Sequence, residues 1–465
     1  MPKKPRSLGE LRRSGYKPNT VKYELRRNLI RKIKAREEIF PGIVGYDETV
    51  IPHMLNAILS GQDMILLGER GQAKSRLARS LVNLLDDETP IIAGSELNDD
   101  PFRPLSKYAR EQVEAHGDET EIAWLPKEQR YSEKLATPDI TIADLIGEVD
   151  PIRVAEGRYL SDELTIHYGL IPRTNRGVFA INELPDLAER IQVGLFNLME
   201  ERDIQIRGYR IRLPLDVYIV ASANPEDYTN RGRIITPLKD RYGSQVRTHY
   251  PKSLDLEIEI MEREHKVLGD GAPKVWVPQF MKEVIAELTA LARKSSDINQ
   301  RSGVSVRISI ANYENIVSNA VRRAVMAGED EAVPRISDLP YVLPSTTGKI
   351  ELESVEEGRE EHLITQLLQR AVLNTFNRYF TGRPFEELVA QFDAGATAET
   401  SEMKPATDYV KLLKKLPAFE AGFKELGIEE TPAAKASGME FILEGLHLNR
   451  RLNKEKVEGA ARYRG

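Results

Sequence analysis

Apolar and polar positions change their period along the chain, and the changes divide it. Between residues 41 and 250, short apolar runs alternate with stretches of helical spacing. The runs at 64–67, 90–93, 178–181 and 217–222 predict buried strands, with a fifth at 245–248. Strands alternating with helices predict an α/β core: a parallel sheet with helices on both faces. From 251 to 330 the period is helical throughout, at 254–268, 278–294 and 305–326. Residues 352–380 continue it, with Leu363, Leu367, Leu368 and Val372 on one face. Residues 394–407 are rich in Ala, Thr and Glu without a period, which predicts a flexible linker. Residues 408–465 read as two or more helices ending in a basic tail at 450–464. Four parts follow: an arm over 1–40, an α/β core over 41–250, a helical region over 251–350 and a helical extension over 351–465.

Composition adds limits. The chain has 465 residues, enough for two to four domains, and 30% of them are charged. No run is long and apolar enough for a membrane span, and the N-terminus lacks the apolar stretch of a signal peptide. Cysteine is absent, so disulfides and thiolate metal sites are excluded, which fits a cytoplasmic protein. The seven histidines show no ligand spacing. Charge is uneven. Residues 1–40 hold 13 Lys and Arg against 4 Glu, net +9, which leaves −15 on the remainder of a chain whose overall charge is −6. Such an arm binds nucleic acid, or docks on an acidic face of its own or a neighbouring subunit. With only Tyr16 and Tyr23 interleaved, docking is the favoured reading.

The chemistry is concentrated after the first strand. Met64-Ile65-Leu66-Leu67 runs into Gly68-Glu69-Arg70-Gly71-Gln72-Ala73-Lys74-Ser75, and then into a helical stretch with Leu77, Leu81, Leu84 and Leu85 on one face. Strand, glycine loop, Lys-Ser and helix form a triphosphate cradle. Loop and helix-start N–H groups point at the phosphates, from Gly68 to Arg76. Lys74 neutralises phosphate charge and the Ser75 hydroxyl ligates Mg²⁺. Ala73 stands where glycine is usual, and its methyl group is expected to require a negative φ. The alternative is a tight strand-to-helix turn with an incidental Lys-Ser.

Four further elements refine the picture. Asn182 and Glu183 end the strand at 178–181. An acidic pair there would hold Mg²⁺ through water and orient the attacking water, but with Asn first only Glu183 can polarise it. Alternatively, Glu183 is a carboxylate at a helix start. Asn224 follows the strand at 217–222 and can hold the lytic water, unless Asn-Pro merely opens a turn. Arg241, with Arg233 behind it, is placed to reach a neighbouring subunit's nucleotide rather than its own. Such a finger is worth roughly 10³-fold or more in rate, and a surface Asp240–Arg241 pair is the bland alternative. Arg307 opens a later helix and could touch the γ-phosphate.

In order and spacing this set resembles the AAA+ ATPases, and over 41–310 the clade of the magnesium chelatase I subunit and the MoxR-type ATPases. Pro41-Gly42-Ile43-Val44-Gly45-Tyr46-Asp47 is similar to the segment that lies against adenine in that family. Leu97-Asn98-Asp99-Asp100-Pro101 and Asn175-Arg176-Gly177 are similar to elements of the chelatase subunit, and Ala before the loop lysine is usual in MoxR-type members. The resemblance implies an AAA+ core with a helical lid, Val44 and Gly45 at the adenine, Asn182 beside Ser75 at the Mg²⁺, Glu183 as water activator, Asn224 as sensor 1, Arg241 as finger and Arg307 as sensor 2. It further implies ATP and Mg²⁺ as ligands and a homo-oligomer, usually a hexameric ring. It implies remodelling of a protein client or insertion of a metal or cofactor, with a von Willebrand A-domain partner on a separate chain. A nucleotide-gated scaffold of low turnover, suggested by Asn182, and a nucleic-acid motor are the competing readings. Two clade-like insertions are expected, at 146–173 and as a β-hairpin at 203–213.

Overall fold

The computed structural model describes residues 4–150, 152, 163–201, 213–224, 233–266, 273–300, 302–353, 359–382, 385–457 and 459–465. The expected hairpin at 203–213, except its last residue Leu213, and all of 151–162 but Ile152 lie outside them. The chain forms two compact units, Met1–His249 and Tyr250–Gly465.

The first unit is built on five parallel strands. They are β1 (Met64–Leu67), β4 (Tyr131–Leu135), β7 (Gly177–Asn182), β8 (Val217–Ala223) and β9 (Ser244–Arg247), in the order β4-β7-β8-β1-β9. β1 and β8 are buried at every position, as parallel strands covered on both faces must be. Alternate residues serve opposite cores. Ile65, Leu67, Phe179, Ile181, Ile219 and Ala221 pack with Ile191, Leu195 and Leu198 of the helix Glu189–Glu201. Met64, Leu66, Val178, Ala180, Tyr218 and Val220 pack with Leu77, Leu81, Met54 and Ala57.

One expected strand belongs elsewhere. Residues 90–92 of that run fall in β2 (Glu88–Ile92), which pairs antiparallel with β3 (Ile122–Pro126) outside the main sheet. The edge place is taken by β4, whose sequence Tyr-Ser-Glu-Lys-Leu is half-exposed and too polar to register as a buried run. Two short strands, β5 (Gly147–Val149) and β6 (Ile166–Tyr168), pair antiparallel within the expected 146–173 insertion.

The basic arm is folded onto this unit. Leu8 and Leu11 pack on Ile122, and Val21, Leu25 and Leu29 enter the core beneath the sheet. The helix Val21–Ala35 is capped by Thr20, and its first N–H donates to Asp216 Oδ2 at 2.7 Å. Its charges meet partners of opposite sign: Lys22 with Asp63 (3.1 Å), Arg27 with Asp86 (2.5 Å), and the helix's own buried Glu24 with Arg130 (2.6 Å). The Asn98 and Asn175-Arg176 elements lie at the same amino edge of the sheet. Asn98 Nδ2 donates to Arg173 O (2.7 Å), and Asn175 Nδ2 to Leu97 O (2.8 Å). Arg176 donates to Pro90 O (2.7 Å), Thr89 Oγ1 (2.8 Å) and Tyr16 Oη (3.0 Å).

In the second unit the larger core runs from Ile258 to Tyr463, so the regions expected over 251–350 and 351–465 share it; a small cluster of Ala320, Ala324 and Ala332 stands beside it. Its axis is the helix Pro432–Leu448, buried nearly all round. A Cβ at Gly445 would lie 2.0 Å from the Phe376 ring, so a helix interior that ordinarily disfavours glycine requires it here. The stretch expected as a linker, 394–407, carries β12 (Ala398–Thr400), which pairs with β14 (Ala460–Arg464). The expected basic tail is likewise a hairpin, β13 (Asn453–Val457) with β14. These strands bury few residues, Tyr463 and Ala398 among them, so neither shows an apolar run. Two shorter strands, β10 (Lys274–Val275) and β11 (Glu331–Ala332), pair parallel.

Candidate functional site

The register sets Leu67 of β1 beside Ala223 of β8, and Ile181 of β7 beside Ala221. The carboxyl ends of three neighbouring strands therefore finish together, about 5 Å from one to the next. The loop 68–75, the pair Asn182-Glu183 and Asn224 all leave from this edge, the ordinary ligand edge of an open parallel sheet.

The loop is held from both sides. Gly68 N donates to Ala223 O at 3.1 Å. Gln72 Oε1 accepts from Glu69 N (3.1 Å) and from Thr248 Oγ1 (2.7 Å), which ties the loop to the end of β9. A Cβ at Gly68 would lie 1.8 Å from Thr248 Oγ1 and 2.3 Å from Gln72 Oε1, so only glycine admits this brace. Tyr46 Oη lies 3.0 Å from Gln72 O and 2.8 Å from His249 O, joining the 41–47 segment to loop and strand. Burial pushes its hydroxyl up to about 12. Val44 and Gly45 are half-buried beside it, and Gly42 lies against the exposed Arg76 guanidinium. Sequence reasoning missed Gln72's brace, Thr248 and Tyr46's bonds, because their partners are distant along the chain.

Ala73 departs from expectation. Its φ is +56° and ψ +16°, left-handed, although the methyl group was expected to keep φ negative. The turn that starts the helix Lys74–Ser80 directly behind the loop demands that conformation. For a non-glycine residue it costs about 1–2 kcal/mol. Gly71 is also left-handed, at +78°, where glycine bears no such cost. Lys74 is buried and folds back on the loop, donating to Gly68 O and to Glu69 O (2.9 Å). Glu69 is half-buried, and Arg70 is exposed at the loop tip.

At the next strand Asn182 Oδ1 accepts from Ser75 Oγ (3.2 Å) and from Ser222 Oγ (3.4 Å). Ser222 Oγ in turn accepts from Glu183 N (3.3 Å). Glu183 is left-handed too, at φ +55° and ψ +51°. Asn224 is buried at the end of β8. Ser222 is a further missed residue; within an apolar run it reads as a small core side chain. A cavity of about 400 Å³ opens beside the loop, walled by Glu69, Gln72, Lys239, Arg247 and Thr248. A larger one, about 480 Å³, lies at the amino edge by Asn19, Arg176 and Asp216, on the far side of the sheet from this chemistry.

Arg241 ends the helix Thr236–Arg241. Its guanidinium pairs through Nε with Glu200 and lies 5.3 Å from the centre of the Phe196 ring. Arg233 is exposed, and its carbonyl accepts from Gln192 Nε2 at 3.0 Å. Arg307 is in the second unit, exposed at the start of the helix Arg307–Ala327, with its N–H on Ser305 Oγ (3.2 Å). Among the described residues no three His, Asp or Glu side chains gather as a metal cage. A cation at Ser75 fits a different design. One hydroxyl ligand, backed by the Asn182 carboxamide oxygen, suits Mg²⁺, which takes its other ligands from phosphate and water.

A five-stranded parallel sheet flanked by helices, with a glycine-rich loop and Lys74-Ser75 at its carboxyl edge and a helical unit after it, is an α/β arrangement suited to the phosphates of a nucleotide. No protein-family model matches the chain. It is 26% identical over 353 residues to the magnesium-chelatase subunit ChlI of Nostoc sp., covering 70% of this chain and 88% of that protein. It is also 26% identical over 343 residues to the chloroplastic subunit ChlI-1 of Arabidopsis thaliana, covering 69% and 76%. A cryo-EM model of the complex between subunits BchI and BchD of magnesium chelatase aligns at 19% identity, over 71% of this chain and 95% of that one, with a TM-score of 0.36. Within the AAA+ class the chain is related to the magnesium chelatase I subunits. No described helix is long and apolar enough to cross a membrane.

Proposed function

We propose that the chain binds Mg-ATP at the loop 68–75 and hydrolyses it with water activated by Glu183, in a ring whose neighbouring subunit supplies Arg241. The carrying observation is the shared edge: Lys74 and Ser75, Asn182 and Glu183, and Asn224 leave three adjacent strand ends. Loop N–H groups and Lys74 orient the triphosphate, and Lys74 exchanges its carbonyl partners for phosphate oxygens. Magnesium, when bound, screens phosphate charge. Ser75 offers it a lone pair while donating its proton to Asn182 Oδ1, a role that needs an acceptor but not a charge. Glu183 takes the proton of the attacking water, and Asn224 positions that water. Val44 and Gly45 flank the base, and Arg307 senses the γ-phosphate.

Hydrolysis drives remodelling of a protein client or insertion of a metal or cofactor, with a separate von Willebrand A-domain protein as partner. Magnesium chelation itself is not proposed, since no residue set specifies a porphyrin. A low-turnover, nucleotide-gated scaffold is the second reading, favoured by Asn182 in place of a carboxylate. The docked arm lends little support to a nucleic-acid motor. The test is ATP turnover and nucleotide binding by the full chain. Lys74→Ala is expected to abolish binding, and Glu183→Gln to bind ATP while losing about 10²-fold or more in rate. Parental turnover by both variants would end the proposal.

A further inference from the structure

The helix that follows Glu183 carries an unusual stripe. Gln192, Phe196 and Glu200 lie four residues apart on the helix Glu189–Glu201, one above the next. All three touch the segment that ends in Arg241. Gln192 is fully buried, and its amide is fully used: Nε2 donates to Leu187 O (2.9 Å) and Arg233 O (3.0 Å), while Oε1 accepts from Ile235 N (2.9 Å). That fixes the backbone entering the helix Thr236–Arg241, whose Leu238 is buried in the same core. One turn on, the Phe196 ring lies beneath the guanidinium at 5.3 Å, within cation–π range. One turn further, Glu200 takes its Nε flank.

We propose that Glu200 and Phe196 are positioning residues for Arg241, fixing the plane and rotation of the guanidinium that one subunit offers to the triphosphate of the next. The inference rests on the reading of Arg241 as a finger in trans. Stability does not account for the arrangement. Both partners of the ion pair are more than a third exposed, and such pairs contribute little to folding. Orientation does account for it. An arginine has many rotamers, and restricting them before the phosphate arrives removes an entropic cost from the transition state. A carboxylate on Nε grips the group from its side, so the terminal nitrogens are the ones a phosphate meets. Arg233, the other finger candidate, contributes its carbonyl to the same helix, which makes it part of the support. The stripe begins nine residues after Glu183, so one rigid element connects a subunit's own water-activating carboxylate with the group it lends its neighbour.

The experiment is steady-state ATP turnover by the full chain as parent, Glu200→Gln, Phe196→Leu, Arg241→Ala and the Glu200→Gln/Arg241→Ala double variant, with thermal melting of each. Glu200→Gln is expected to lower kcat about ten- to a hundredfold, leaving KM for ATP and the melting temperature unchanged. Phe196→Leu should move kcat in the same direction. The double variant should be no slower than Arg241→Ala alone. Parental kcat in Glu200→Gln, beside a slow Arg241→Ala, overturns the inference and leaves the finger standing. So does a Glu200→Gln loss of equal size when Arg241 is already gone, since Glu200 would then act on something else. Parental turnover by Arg241→Ala removes the finger and the inference together.

Discussion

The two edges of the central sheet are built from similar residue types to opposite ends. At the amino edge, Arg130, Glu24, Arg176 and Asn175 are buried and Asp216 half-buried, and all are tied to backbone atoms or to each other. At the carboxyl edge two non-glycine residues, Ala73 and Glu183, are held left-handed, and Asn182 gathers two hydroxyls on one oxygen. The first edge is a saturated polar clamp, which specifies the fold. The second keeps side chains on partners that a ligand can replace, which is where function concentrates; backbone strain does not separate the two, since Asn98 and Arg176 at the amino edge are left-handed as well.

The clamp can be broken directly. Arg130→Met leaves the Glu24 carboxylate buried and unpaired, and is expected to cost about 3–5 kcal/mol in urea unfolding. ATP turnover by the fraction that remains folded should stay within about twofold, because the two edges are separate; a rate loss as large as the stability loss would erase the distinction. Asn182→Asp acts at the other edge. It restores a charge beside Ser75 and is expected to raise kcat several-fold, about 1 kcal/mol in barrier, with no gain in stability. An unchanged rate would remove the case for a low-turnover scaffold.

Ala73→Gly is a smaller change. Relief of the left-handed strain, about 1–2 kcal/mol, exceeds glycine's entropic cost of about 0.5–1 kcal/mol. A net stabilisation of at most about 1.5 kcal/mol should appear as a higher urea midpoint. A lower midpoint would show that the loop bears no strain.

Asp216 gives the smallest effect, and it depends on pH. Burial pushes its carboxyl above the usual carboxylate range, against the Val21 N–H that favours the charged form. The folded state therefore binds the proton more readily than the unfolded one. The stability this contributes is complete below the unfolded value and is lost as pH rises through the folded one. The stability difference between parent and Asp216→Asn should thus fall with rising pH across that window and stay flat outside it. A difference that rises with pH would reverse the assignment.

The legible parts of the molecule were those with a one-dimensional signature. β1, β7 and β8 read plainly because both faces are buried, and the loop because its glycines and Lys-Ser sit between strand and helix. β4 escaped because an edge strand tolerates Ser, Glu and Lys. The C-terminal sheet escaped because few of its side chains are inside. The Ala73 conformation was misjudged because the turn, not the methyl group, sets φ there. Arg241 could be picked out, but not Glu200, which is 41 positions away and carries no motif. Arg307 was legible as the start of a helix, in the second unit.

The Val21–Asp216 bond spans 195 positions and closes the amino edge. During synthesis at about 5–20 residues per second, Asp216 is made roughly 10–40 s after Val21. Until then the apolar face carrying Val21, Leu25 and Leu29 has no finished groove to enter. The newborn chain thus trails a sticky cationic helix for most of the first unit's translation, and a chaperone that shields such a segment would find its substrate there.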